Sequence, residues 1–331
     1  MNWDQRCVRF CTVMLLCTIM FRLGTMGIFS PVVRSLQSRE AISFFLYLQT
    51  GRVVRLQADA PAQPVQQEPP DPTVPDTKTP LNFSAPEADL IQITGNSGYR
   101  PDLAELLTQP LPWDLTGDEP AVLILHTHAT ESYTPGEGEC YEATDYRTRD
   151  PEYNMLCLGN LVARRLEEAG IRCIHDTQLH DSPSYNDSYA NAAASTQAIL
   201  EQYPSIQLVL DLHRDAADTA YGQMVTECSI GSETAAQLMF VVGTDASGLN
   251  HPDWEQNLSL ALKLQVLLER QNPGICRDLN LTRNRYNQHL GSYALLIEIG
   301  AAGNTLAEAT LAAEKLAQAI IQLRYGAGST R

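Results

Sequence analysis

The chain is expected to fold as an α/β domain whose mostly parallel or mixed central sheet is covered by helices on both faces. Three observations carry that expectation. The strand candidates are short unbroken apolar runs, such as Val122–Leu125 and residues 206–210. Strands buried on both faces read that way, whereas half-solvated strands alternate. Segments with helical spacing of apolar residues separate these runs, so each crossover lays a helix against the sheet. No internal repeat is present, and 331 residues suffice for one large domain plus extensions or for two domains.

In chain order, residues 7–33 are mostly apolar, broken by Arg22. A bilayer span needs about 20 residues, so this stretch is read as an uncleaved anchor. A cleaved signal peptide is the rival, disfavoured because no Ala-x-Ala-like site follows. Residues 35–50 suit an amphipathic juxtamembrane helix. Residues 60–80 are rich in proline and short of large hydrophobes, the composition of an extended stalk. The chain therefore divides into an anchor over 1–34, a juxtamembrane helix and linker over 35–89, and a globular domain over 90–326. Within the domain, 90–93 is a short strand candidate and 104–107 a helical turn. Val122–Leu125 is the first strong strand. Helical spacing runs over 154–169, with Gly170 as its stop. Residues 171–174 form a strand, 185–203 an alanine-rich helix, and 206–210 a strand. Two strands follow, at 223–227 and Leu238–Gly243. A long helix covers Trp254–Gln271, the last strong strand covers 293–300, and a closing helix covers 305–325.

Net charge is −16 and no Lys/Arg run occurs, which argues against nucleic acid as a partner. Of eight cysteines, Cys7, Cys11 and Cys17 lie in the apolar N-terminus. Cys140, Cys157, Cys173, Cys228 and Cys276 are scattered without a Cys-x-x-Cys pair. An odd set of this kind is read as small buried hydrophobes rather than a disulfide framework.

The chemistry concentrates at strand ends. His126, His128 and Glu131 directly follow the first strand, where open α/β sheets bind their ligands. His213 ends another strand, and Glu298 sits within the apolar run 295–299. A carboxylate there is expensive to bury without a partner. His128, Glu131 and His213 supply two imidazoles and a carboxylate, a zinc ligand set that leaves a position open for water. Glu298 is then free to act as general base. Asp211 and Asp215 are candidates to orient the imidazoles. Which of His126 and His128 is the ligand stays open: strand alternation places both on one face, so one of them, His126 in this assignment, acts on substrate or water instead.

The sequence resembles the Stage II sporulation protein P family. The segments that carry the resemblance are residues 125–133 (LHTHATESY), 211–216 (DLHRDA), 241–245 (VVGTD) with Asn257-Leu258, 285–288 (RYNQ), and 295–300 (LLIEIG) with Asn304-Thr305. The resemblance implies a zinc amidase-like fold and a sporulation-specific N-acetylmuramoyl-L-alanine amidase and peptidoglycan endopeptidase, and it makes Glu152, just before the helix at 154, the rival to Glu131 as ligand. It implies cell wall degradation during engulfment, with the domain anchored at the cell membrane by a single pass and facing outward. The implied partners are peptidoglycan, a sporulation lytic transglycosylase and a polytopic membrane scaffold. Arg214, Arg283, Arg285 and Asn287 become candidates for gripping the stem peptide, since arginine recognises carboxylates bidentately. Two rival readings stand beside this one: a zinc carboxypeptidase, suggested by the His128-x-x-Glu131 spacing, and a catalytically inactive wall-binding module.

Overall fold

The computed structural model describes residues 78–136, 141, 145–219 and 222–328, all within the compact unit Val74–Arg331. The stretches read as anchor and juxtamembrane helix, and the stalk up to residue 77, lie outside the described residues. Among the described residues no helix is long and apolar enough to cross a membrane.

The main sheet has seven strands: β1 (Ile93–Thr94), β2 (Val122–Leu125), β3 (Cys173–His175), β4 (Leu208–Asp215), β9 (Leu238–Gly243), β10 (Leu279–Thr282) and β11 (Ala294–Ala301). Their order is β1-β10-β9-β11-β4-β2-β3. Every pairing is parallel except β11 with β9, so the sheet is mixed. Two small ribbons stand apart, β5 (Asp218–Thr219) with β6 (Gly222–Gln223), and β7 (Glu227–Ile230) with β8 (Glu233–Ala236).

Helices α1 (Leu103–Thr108), α2 (Met155–Glu168), α3 (Ser188–Gln202), α4 (Trp254–Gln271) and α5 (Leu306–Gln322) complete the domain. Strand alternation sorts the two faces. Val122, Ile124, Leu210, Leu212, Ile297 and Ile299 point into the large core built with α2, α4 and α5. Leu123, Leu125, Val209 and Ala294 point the other way, against Ala192, Ile199 and Leu200 of α3. Beyond the reach of α3, Tyr286 covers Met239, Val241 and Leu296. The second face is therefore thinly covered, and Glu298 and His213 lie on it.

Helix boundaries follow their caps. Asn154 accepts from the Leu156 N–H and starts α2, and Gly170, at φ 79°, ends it. Thr305 and Glu308 form a reciprocal capping box at α5. Three differences from the sequence pattern have local reasons. The β7–β8 hairpin turns at Gly231, φ 62°; its strands are mostly exposed or half-buried, so no apolar run marks them. In β10, Asn280 interrupts the apolar residues. β4 extends to Asp215 because its polar residues are buried and partnered rather than solvated. The packed chain also begins ahead of Leu90: Leu81 bridges to Ala327, and Phe83 and Ala88 join the core.

Candidate active site

Parallel pairing of β11 with β4 sets Glu298 beside His213. Both project from the thinly covered face, as does Asp211. β2 ends at Leu125, opposite Asp211, and the chain turns. Asp211 holds that turn, accepting from the Thr127 N–H at 2.8 Å and its hydroxyl at 2.6 Å. Asp181 accepts from the Thr130 hydroxyl at 2.6 Å. His128 and Glu131 are delivered between these two anchors.

His213 lies between two carboxylates, with Nε2 2.9 Å from Asp211 Oδ1 and Nδ1 3.5 Å from Glu131 Oε2. Burial opposes its charged form, but Asp211 and Glu131 outweigh burial and hold it well above the ordinary histidine value. Glu131 is held low against its own burial by His213 and Arg214. Its Oε2 also accepts from the Arg214 N–H at 3.2 Å, and its Oε1 from Arg147 Nη2 at 3.3 Å. The His128 ring stands perpendicular to that of His213, 5.3 Å between centroids. Tyr185 stacks on it at 4.5 Å and Tyr189 meets it edge-on at 5.4 Å. Burial depresses His128 to about 4, and its buried Nδ1 has no hydrogen-bond partner. Glu298 Oε2 is likewise buried without one. Burial first, then the Glu131 and Asp215 charges, push that carboxyl up to about 8 against the pull of His213.

As they stand, no three His, Cys, Asp or Glu side chains among the described residues converge tightly enough to hold an ion. The donor set nevertheless suits zinc. Two ligands each about 2.1 Å from a tetrahedral ion stand about 3.4 Å apart, and Glu131 Oε2 and His213 Nδ1 are 3.5 Å apart. Asp211 lies 2.9 Å from the far nitrogen of His213, close enough to act electrostatically but without hydrogen-bond geometry. A third donor would be the orphaned Nδ1 of His128, whose ring centroid lies 5.3 Å from that of His213.

His126 does not join this group. Because β2 stops at Leu125, strand alternation does not carry through to His128, and the two histidines part. His126 is fully buried over α2, with Nδ1 3.0 Å from the Leu212 carbonyl and Nε2 2.9 Å from His175 Nε2. Burial and His175 depress it to about 3. It is a packed core histidine rather than a group facing substrate. Glu152 is exposed on the turn before α2. Arg214, expected to grip substrate, is buried and donates from Nε to the Ser132 carbonyl (2.9 Å) and from Nη2 to the Tyr146 carbonyl (2.7 Å), bracing the Glu131 segment. Arg283 is exposed, Arg285 donates to the Asn250 carbonyl at 2.6 Å, and Asn287 to the Tyr189 carbonyl at 2.9 Å. Of the four, Asn287 comes nearest the aromatic wall over His128. Arg147, Asp181, Tyr185, Tyr189 and Tyr286 were not anticipated. Tyr286 lies within the 285–288 segment that carries the resemblance, and Tyr185 and Tyr189 stand four apart at a helix start; Arg147 and Asp181 left no such trace.

Fold and site together define an α/β domain with a buried His–Glu–His group at the carboxyl ends of parallel strands and, beside it, a carboxyl that burial raises above its ordinary value. The family model for Stage II sporulation protein P matches residues 44–321, and the chain belongs to that family. It is 28% identical over 230 residues to Stage II sporulation protein P of Bacillus subtilis (strain 168), a match covering 65% of this chain and 54% of that protein, so the chain spans about half the length of this curated relative. Among solved structures, N-acetylmuramoyl-L-alanine amidase AmiC2 of Nostoc punctiforme aligns at a TM-score of 0.40 and 14% identity, covering 62% of this chain and 98% of that one. The CwlD amidase of Clostridioides difficile, solved in complex with the GerS lipoprotein, aligns at 0.34 and 15%, covering 62% and 98%.

Proposed function

We propose that this protein is a zinc-dependent peptidoglycan hydrolase of endospore formation that cleaves the N-acetylmuramoyl-L-alanine amide and peptide cross-links. The observation that carries the reading is the contact of Glu131 with His213, the His128 ring against His213 and Glu298 in register with His213, in a member of a sporulation family. His128, Glu131 and His213 would hold the metal. Zinc bound there would lower the pKa of its water toward about 7, polarise the scissile carbonyl and, as a nearby positive charge, bring Glu298 into the range of a base. Glu298 takes a proton from the attacking water and returns it to the leaving amine. Asp211 keeps His213 oriented, and the Tyr185 and Tyr189 rings hold His128 in place. An N-terminal single-pass anchor would keep the domain outside the cell membrane, where the wall lies. A lytic transglycosylase and a polytopic scaffold would be its partners, as the family resemblance implies.

Two measurements test this. Elemental analysis of the dialysed protein should find one zinc per chain, and digestion of purified cell wall should release sugar-free stem peptides. Retention of no divalent metal with full activity would sink the zinc mechanism. Release of terminal amino acids alone would turn the reading to a carboxypeptidase. Topology is tested by protease treatment of intact protoplasts, which should cut the domain away. Full protection of the domain would overturn the outward placement.

A further inference from the structure

We propose that Arg147 is a positioning residue that orients the Glu131 carboxylate and, through Tyr185, the His128 ring toward a divalent cation, an inference that rests on the zinc reading above. Arg147 lies directly across an antiparallel bridge from Glu131. Its guanidinium spans two carboxylates, with Nη2 3.3 Å from Glu131 Oε1 and Nη1 2.9 Å from Asp181 Oδ2. Both partners are nearly inaccessible, at 6% and 0% side-chain exposure, so this is not a solvated surface pair. With Oε1 engaged, the Glu131 carboxylate cannot turn freely, and Oε2 is left facing His213. The same guanidinium lies 4.6 Å over the Tyr185 ring, and Tyr185 is the ring stacked on His128. One side chain thus bears on two candidate ligands, one by ion pairing and one through an aromatic stack.

The backbone that presents Arg147 is strained. Asp145 and Tyr146 both adopt left-handed conformations, at φ 51° and 55°, which non-glycine residues rarely hold unless their surroundings over-determine them. Here the Tyr146 carbonyl is pinned by the Ser132 N–H at 2.9 Å and by Arg214 Nη2 at 2.7 Å. Both clamps come from the chain that carries the ligands, Ser132 next to Glu131 and Arg214 next to His213. A merely electrostatic role would act in the opposite direction, because a cation beside a ligand carboxylate repels an incoming metal.

That difference in sign makes the proposal testable on the full chain with zinc and cobalt ions alone. Arg147→Ala should weaken zinc binding by about 10–100-fold, the usual effect of losing a partner behind a metal ligand, when titrated against a chromophoric chelator. The d–d absorption of the cobalt-loaded protein should also change shape, which a loss of stability alone would not cause. Arg147→Lys keeps the charge but not the planar fork, so it should not restore affinity. Asp181→Asn, which frees the far end of the guanidinium but also weakens the Thr130 anchor, should shift affinity the same way. If Arg147→Ala does not fold, judged by circular dichroism, the Lys and Asn variants decide. Unchanged or tighter zinc binding with a wild-type cobalt spectrum in these variants, or full rescue by lysine, would overturn the proposal while leaving the zinc reading intact. Failure of the wild-type chain to bind zinc would overturn both.

Discussion

Glu298→Gln separates the charge of this residue from its shape. In the metal-free protein burial pushes the Glu298 carboxyl from 4.5 up to about 8. The folded state therefore keeps a proton that the unfolded chain has released. Stability from this group is fully present below pH 4.5 and is lost as pH rises through about 8. Each pH unit inside that window costs about 1.4 kcal/mol, so wild type should lose up to about 4 kcal/mol from this group between pH 5 and pH 8. Glutamine mimics the neutral acid and has no proton to lose. The stability difference between Glu298→Gln and wild type should then widen in the variant's favour by up to that amount. Groups remote from the site titrate alike in both proteins and cancel in the difference, whereas His213, which acts on Glu298, contributes to it. Urea denaturation with a chelator present, run at several pH values, measures it. Parallel stability–pH profiles for the two proteins would refute the placement of Glu298 as a buried neutral acid. On the functional side, the variant should keep its zinc but turn over cell wall at least about a hundredfold more slowly; near-normal turnover would remove Glu298 from the mechanism.

Other perturbations read different parts of the structure. His213→Ala should lose metal and activity together, as seen by elemental analysis and muropeptide release. Gly159→Ala would place a methyl 2.4 Å from both His126 Nε2 and His175 Nε2, and should destabilise by about 1–3 kcal/mol, read as a lower denaturation midpoint. Lys263 is fully buried in α4, donating to Ser259 Oγ at 2.7 Å and the Leu106 carbonyl at 3.2 Å, and burial lowers it to about 8. The folded state releases this proton earlier than the unfolded one, so its burial penalty shrinks as pH rises from 8 toward 10.5. Any advantage of Lys263→Met at pH 7 should therefore diminish by pH 10; an advantage that does not change with pH would contradict this.

Most of the fold and part of the site were legible in the residues alone. Apolar runs marked β2, β9 and β11, and helical spacing marked α2, α4 and α5, because burial on both faces and burial on one stripe leave different periods in a sequence. His128, Glu131, His213 and Glu298 stood out because polar groups at the ends of, or inside, apolar strands need a reason to be there. Sequence distance could not say which way β2 would turn after Leu125. That turn separated His126 from His128, and it is set by Asp211 and Asp181, groups far along the chain. Nor could the sequence assign the arginines: Arg214 looked like a substrate grip, but the neighbouring Ser132 and Tyr146 carbonyls take two of its donors. Arg147 had no local signature at all, because its partners Glu131, Asp181 and Tyr185 are brought to it only by the folded chain. Periodicity records which face of an element is buried; which polar groups meet across that face depends on register and turns, and these are decided in three dimensions.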